Sequence, residues 1–264
     1  MPAPPPRRPV QYTPPPPPPP IFSWTGFYIG GNGGGGSAHD NFNLTGTSVV
    51  GTFGNSGSFD YGGGILGGQI GFNYEFGPSH WVIGVEGDGD WARLQGTSSA
   101  CSTFTGGAFA GLPAGCATNN VSLNNFETVR GRVGYAFDTG SYTFPSVLVY
   151  ATGGGAWANS SGGSTTTCLG ILCPGTSLGP FTGGGASFHD SLSGWTAGAG
   201  FEWAFFQHWT ARFEYLHLGF NNVSTNYTTT AVFATGPLTA NTHISSNIGV
   251  DVVRFGVNYL FNWY

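Results

Sequence analysis

Apolar and polar residues alternate with period two along much of the chain, the pattern of strands whose two faces meet different surroundings. Residues 62–76, GGGILGGQIGFNYEF, set Leu66, Ile70, Phe72, Tyr74 and Phe76 against Gln69, Gly71, Asn73 and Glu75. After a break of a few residues, WVIGVEGDGDW sets Trp81, Ile83, Val85 and Trp91 against Glu86, Asp88 and Asp90. The same reading places Val129, Val133, Tyr135 and Phe137 opposite Arg130 and Arg132, and Val147, Val149, Ala151 and Trp157 on one face of residues 146–157. Trp195, Phe201, Trp203 and Phe205 oppose Glu202, and Trp209, Phe213 and Tyr215 oppose Arg212 and Glu214. With WTGFYIGGN near the start and VVRFGVNYLFNWY at the end, the pattern predicts eight strands.

The breaks between strands fall at about residues 34–61, 78–80, 94–124, 138–145, 159–191, 206–208 and 220–248, alternately long and short. This rhythm predicts an all-β fold: an eight-stranded antiparallel up-and-down barrel with four long connections at one end and short turns at the other. Compact soluble domains rarely carry several irregular connections of about 30 residues.

Charge decides which face is outside. Glu75, Glu86, Asp88, Asp90, Arg130, Arg132, Glu202, Arg212, Glu214 and Arg254 all fall opposite the aromatics. Were that face outward, the many large apolar side chains would have to fit a lumen only just wide enough for side chains of mixed size. The apolar face is therefore expected to meet lipid, making this a transmembrane barrel with long extracellular loops and short periplasmic turns. Arg93, Glu127, His217 and Asp251 break the alternation, each at the long-loop end, where a charge costs little. Aromatics sort by height as well. Phe76, Trp81, Phe137, Trp203, Phe205, Trp209, Tyr259 and Phe261 lie toward the short turns, and Trp91, Trp157, Trp195 and Tyr215 toward the long loops, predicting girdles at both interfaces.

Composition narrows the function classes. The chain has seven Arg, no Lys, a net charge of -5 and no basic cluster, which argues against nucleic acid. No run reaches the roughly 18 apolar residues of a membrane-spanning helix. Residues 1–21 hold twelve of the eighteen prolines and predict a polyproline II or disordered periplasmic spacer ahead of a barrel over residues 22–264. That lead lacks the apolar stretch of a signal peptide, so either the chain is not exported or the sequence is a mature form with a replaced start; Met1 as the one methionine and an even number of cysteines in Ser/Thr/Gly-rich segments favour the second.

Four arginines facing six carboxylates predict a charge network in the lumen. It either fills the barrel or forms a constriction that selects solutes, and the narrowness of eight-stranded barrels favours filling. Glu86, Asp88 and Asp90 alternate along a strand and lack the spacing of a calcium loop. The glycine runs lack the Lys and Ser/Thr of a phosphate loop, and the adjacent His189, Asp190 and Ser191 do not make a catalytic triad. No metal, cofactor or catalytic residue is expected. Cys101 and Cys116 share one long loop, and Cys168 and Cys173 another, so two local disulfides are expected, with cross-loop pairings open.

FSWTGFYIGGNGG after the proline-rich lead, VYATGGGAW, and FGVNYLF near the end resemble the small surface-antigen porins of Gram-negative bacteria, the outer membrane immunogenic or opacity-like proteins. The resemblance covers about residues 22–264. It implies an eight-stranded barrel exported to the outer membrane, with surface-exposed loops and a final aromatic, Phe261 or Tyr264, read by the barrel-assembly machinery. The expected role is that of a monomeric structural surface protein set in outer-membrane lipid, with hosts, phage or peptidoglycan as candidate contacts. A narrow porin for small solutes is the alternative.

Overall fold

The computed structural model describes residues 22–261 except 49–50, 108–109, 112, 142, 169–180 and 234–235. Eight strands follow in order: β1 (Gly26–Ser48), β2 (Gly51–Phe76), β3 (Trp81–Phe104), β4 (Pro113–Asp138), β5 (Ser146–Cys168), β6 (Phe181–Phe206), β7 (Trp209–Phe233) and β8 (Gly236–Phe261). Each pairs antiparallel with the next, and β1 pairs with β8, so the sheet closes on itself. In the half of the barrel near the short turns closure satisfies the strand edges internally, the condition for spanning a bilayer with strands, whereas beyond Gly194↔Phe220 no pairing joins β6 to β7 among the described residues. At the short-turn end, a 3₁₀ turn at Gly77–Ser79 leads into His80, whose φ of 55° is left-handed. Residues 139–145 and 207–208 make the other two short connections among the described residues.

The long irregular loops expected at the other end are instead mostly strand. Pairing runs out to Ser48↔Gly51 between β1 and β2, Thr103↔Pro113 between β3 and β4, Cys168↔Phe181 between β5 and β6, and Phe233↔Gly236 between β7 and β8. Each strand is thus 23 to 26 residues long, whereas about ten suffice to cross the apolar band. The physical reason is chemical contrast. Above the membrane both faces of the sheet carry Gly, Ser, Thr and Asn, so the period-two hydropathy signal vanishes while backbone pairing persists.

The outer face is aromatic and aliphatic between the two rims. Phe76, Trp81, Phe137, Trp209 and Phe261 are exposed toward the short turns, and Trp91, Trp157, Trp195 and Tyr215 toward the far end. Trp203, Phe205 and Tyr259 are half-buried, packed on neighbouring rings. A register shift between Ala204 and Phe206 puts two consecutive aromatics outside, and Phe206, 67% exposed, presents more surface than the expected Phe205. Ten steps from Trp81 to Trp91, rising about 3.3 Å each along a tilted strand, span about 25 Å, the height of the lipid-facing band.

The inside is layered. Toward the short turns, Phe22, Trp24, Val82, Ala136, Leu148, Ala204 and Leu260 form a buried apolar cluster. Phe22 and Trp24 precede β1 and pack edge to face at 5.0 Å, with Trp24 Nε1 donating to Ser146 Oγ at 3.0 Å. Toward the far end a second cluster holds Leu94, Leu123, Phe126, Leu216, Leu218, Val250 and Val252. The charged residues lie between these two layers. Residues 1–21 and 262–264, which carry the expectations for the proline spacer and for Tyr264, lie outside the described residues.

Candidate functional site

The middle layer is a belt of nine buried charged residues: Glu86, Asp88, Asp90, Arg130, Arg132, Glu202, Arg212, Glu214 and Arg254. Four strands supply most of them. On β3, alternation turns Glu86, Asp88 and Asp90 inward in sequence. On β4 it turns in Arg130 and Arg132, on β7 Arg212 and Glu214, and on β8 Arg254.

Arg130 is the hub on one side. Its Nη1 donates to Glu214 Oε1 at 3.0 Å, and its Nη2 donates to Asp88 Oδ2 at 2.8 Å and also to Glu86 Oε1. Arg254 answers from the opposite wall: Nε donates to Glu214 Oε2 at 2.8 Å, and Nη1 to Asp88 Oδ1 at 3.0 Å and Asp90 Oδ2 at 2.7 Å. Arg212 Nη1 donates to Glu86 Oε2 at 2.5 Å. Arg132 Nη2 donates to Glu202 Oε2 at 2.9 Å while its guanidinium lies 3.9 Å from the centroid of the Tyr150 ring. Charge-assisted bonds of this kind are the stronger class, and stripping one partner from a buried set leaves an unpaired charge.

Neutral groups complete the belt. Tyr28 and Tyr150 hydroxyls donate to Glu86 and Glu214, and Thr128 and Thr210 hydroxyls to Asp88 and Glu202. A chain of amides runs from Asn32 Nδ2 to Gln69 Oε1, from Gln69 Nε2 to Asn258 Oδ1, and from Asn258 Nδ2 to Glu202 Oε1. Because a carboxylate only accepts, Glu202 sets the direction of the whole chain. Tyr28 fits because residue 71 is glycine: a Cβ there would sit 2.3 Å from the Tyr28 hydroxyl. Sequence reasoning did not assign these neutral partners to the site, although their even alternation with the charged positions was the available signal.

Glu75 stands apart from the belt. It lies at the short-turn rim, where its Oε2 accepts from the Trp24 backbone N–H at 3.0 Å and its Oε1 is 3.5 Å from His80 Nδ1. Alternation gives the face of a residue but not its height, and Glu75 is a full layer below the arginines. Arg93, Glu127 and Asp251 are exposed on the outer face, and Asp251 accepts from Tyr215 at 2.5 Å beside His217 Nδ1 at 2.8 Å.

Cys101 and Cys116 face each other across β3 and β4 and form a disulfide. The side chain of Cys168 and all of Cys173 lie outside the described residues. Among the described residues no group of His, Cys, Asp or Glu is arranged to hold a metal ion. Ser191 donates to Asn159 at 3.2 Å.

Residues 22–261 match the family described as outer membrane protein beta-barrel domain. The 31 kDa outer-membrane immunogenic protein of Brucella melitensis is 30% identical over 249 residues, covering 91% of this chain and 85% of the relative, and its Brucella suis counterpart matches equally. Among solved structures, the outer membrane protein OprG of Pseudomonas aeruginosa aligns over 91% of this chain and 99% of its own at 10% identity and a TM-score of 0.37. The attachment invasion locus protein Ail of Yersinia pestis aligns over 86% and 99% at 10% identity and a TM-score of 0.27.

Proposed function

The chain belongs to the outer membrane protein β-barrel family and resides in the bacterial outer membrane, and from that premise we propose that it is a non-catalytic structural surface protein with a closed lumen. The observation that carries this reading is the layering of the interior. The Arg and carboxylate belt is capped by the Leu94–Leu216–Val252 layer above and the Trp24–Leu148–Leu260 layer below. A path for ions needs polar groups continuous from mouth to mouth. Here each mouth of the belt is apolar, so the guanidiniums serve to fix the eight strands against one another. The barrel acts as a monomer in outer-membrane lipid, its C-terminal strand is the element offered to the assembly machinery, and the strand extensions beyond the membrane make contact with other surfaces.

Planar-bilayer recording of the purified, folded protein tests the closed lumen. The expected result is an absence of stable conductance steps. Regular steps whose ion selectivity shifts in Arg130→Ala would establish the narrow porin instead.

A further inference from the structure

Above the far aromatic ring the wall of the barrel has a gap that runs to its end. β6 and β7 pair from Phe206↔Trp209 up to Gly194↔Phe220, and beyond that point no pairing joins them among the described residues. Each remains paired on its other side: β6 with β5 out to Cys168↔Phe181, and β7 with β8 from Val223↔Ser246 to Phe233↔Gly236. β2 and β3 also skip a stretch, but they resume in the same register at Gly54↔Thr103, so that gap is shut at both ends.

The β6–β7 gap begins at a bulge. Asn221 and Asn222 of β7 stand opposite the single Asn247 of β8, and the phase of the strand reverses across them. Leu216, Leu218 and Phe220 are buried, whereas Ser224, Asn226 and Thr228 are exposed. β6 keeps its phase, with Leu192 buried between exposed Ser191 and Ser193. Continuing the ladder in register would set an inward face against an outward one, and pairing ends there.

The gap leaves backbone unpaired. Successive residues of an antiparallel strand turn their N–H and C=O to opposite neighbours, so every second residue of Val223–Phe233 presents main-chain groups to the gap, along about 34 Å of edge. This edge lies beyond Trp195 and His217, where it meets water rather than lipid. Past the bulge, residues 221–233, NNVSTNYTTTAVF, carry neither charge nor proline, the usual guards against pairing, and are rich in Thr, Val and aromatic residues that favour strands. On its other side the strand is held in place, since Thr228 Oγ1 donates to Asn241 Oδ1 at 2.9 Å and His243 Nδ1 meets Asn226 Oδ1 at 2.8 Å. A template already ordered costs an incoming chain less to use. β6 is the poorer edge, interrupted by three glycines at 183–185 and carrying Asp190.

We propose that the β7 edge takes up an extended segment of another protein as an added strand, a reading that rests on the surface-contact role above and gives it a partner and a mode of binding. Main-chain bonds supply the attachment. The segment is uncharged and rich in Ser, Thr and Asn, because its outward side chains stand beside Ser224, Asn226 and Thr228. There it extends the hydroxyl and amide pairs that the distal strands already make, such as Thr97–Asn120 and Ser99–Thr118. A second copy of this chain fits less well. Two barrels in one membrane point the same way, so their β7 edges meet only in parallel, the weaker ladder, and β7 on a neighbour's β6 uses the glycine-broken edge.

The test uses the full chain folded in detergent, with retention of heat-modifiable gel mobility as the check that each variant is a barrel. The probe is a synthetic peptide, LTANTHISSN, the sequence of residues 238–247, which is uncharged and already fits beside β7 on its other side. Residue-resolved hydrogen exchange should show the amides of residues 223–233 alternating between slow and fast, with saturating peptide slowing the fast set. The same peptide N-methylated at the positions of Asn241 and Thr242, which removes a donor from each of its edges, should bind about tenfold more weakly. Thr229→Pro and Thr230→Pro each remove one N–H, and of these neighbours the one facing the gap should weaken binding by a similar factor while protection between β7 and β8 persists. Ser99→Ala, in a hydroxyl pair outside the gap, should leave binding unchanged. Uniformly slow exchange along β7, no saturable binding, or equal binding of the N-methylated peptide would overturn the proposal. So would protection of the fast set that grows with protein concentration alone and accompanies dimers in light scattering, which would assign the edge to a second copy. Antibody labelling of intact cells separates the two readings, since a protein missing from the cell surface would overturn the surface-contact role whatever the peptide does.

Discussion

Each strand of this barrel is two materials joined end to end. Below the ring of Trp91, Trp157, Trp195 and Tyr215 the sheet has an aromatic exterior and an interior of charge and leucine. Above it the same strands carry hydroxyls and amides outside, in cross-strand pairs such as Thr97–Asn120, Ser99–Thr118 and Thr228–Asn241. The first half is held by groups removed from all solvent. The second is held by backbone pairing and by surface contacts worth a few tenths of a kcal/mol to about one each. Strandedness therefore continues where the hydropathy signal stops, and the two halves should respond to mutation on different scales.

The largest effect belongs to the belt. Arg130→Ala leaves Glu86, Asp88 and Glu214 short of a partner in a sealed interior and should cost about 3–5 kcal/mol, read as a lower urea midpoint for unfolding in micelles. A shift below 1 kcal/mol would mean that water reaches the belt, and the contrast between halves would collapse. Next is the disulfide. Replacing Cys101 and Cys116 by Ser removes a link across 15 residues, worth about 3 kcal/mol in a chain-entropy account. The loss should appear as proteolysis confined to the ends of β3 and β4, with the membrane-spanning half and its gel mobility intact. Whole-barrel unfolding would show the two halves to be one cooperative unit.

The smallest effect is at His39, exposed on β1, where the hydrogen bond to Asp60 raises the imidazole pKa above its ordinary value. A raised folded-state pKa adds stability that is complete below the unfolded value near 6.5 and is lost as pH rises through the folded value. NMR titration should show the His39 midpoint falling in Asp60→Asn. An unchanged midpoint would remove the pair from the distal half's small set of interactions.

What the sequence makes legible follows from the same contrast. The lipid-spanning strands are readable because Trp81, Ile83 and Val85 meet lipid while Glu86 and Asp88 meet arginine, and one step along the chain reverses the environment. The distal strands are not, because Thr45, Gly46 and Thr47 differ too little for any alternation to register. Within the lumen, alternation gives the inward face of Leu148, Arg132 and Glu75 alike but is silent on height, so the three-layer order and the separation of Glu75 from the arginines emerge only with strand register. The bulge beside Phe206 is likewise a property of pairing, invisible in the pattern of residues.

Consider finally the seam between β1 and β8. Arg254, on the last strand, ties Glu214 of β7 to Asp88 across the lumen, as Arg130 also does, and brings Asp90 of β3 into the same link. Until that strand docks, those three carboxylates lack one of their cations, and with β1 and β8 apart the lumen is open along its whole length. A seven-stranded intermediate is therefore electrostatically unfinished, and insertion has a checkpoint at its final step: the charge that completes the interior arrives with the strand that closes the wall. Barrels truncated before residue 254 should stall as open sheets rather than settle as smaller rings.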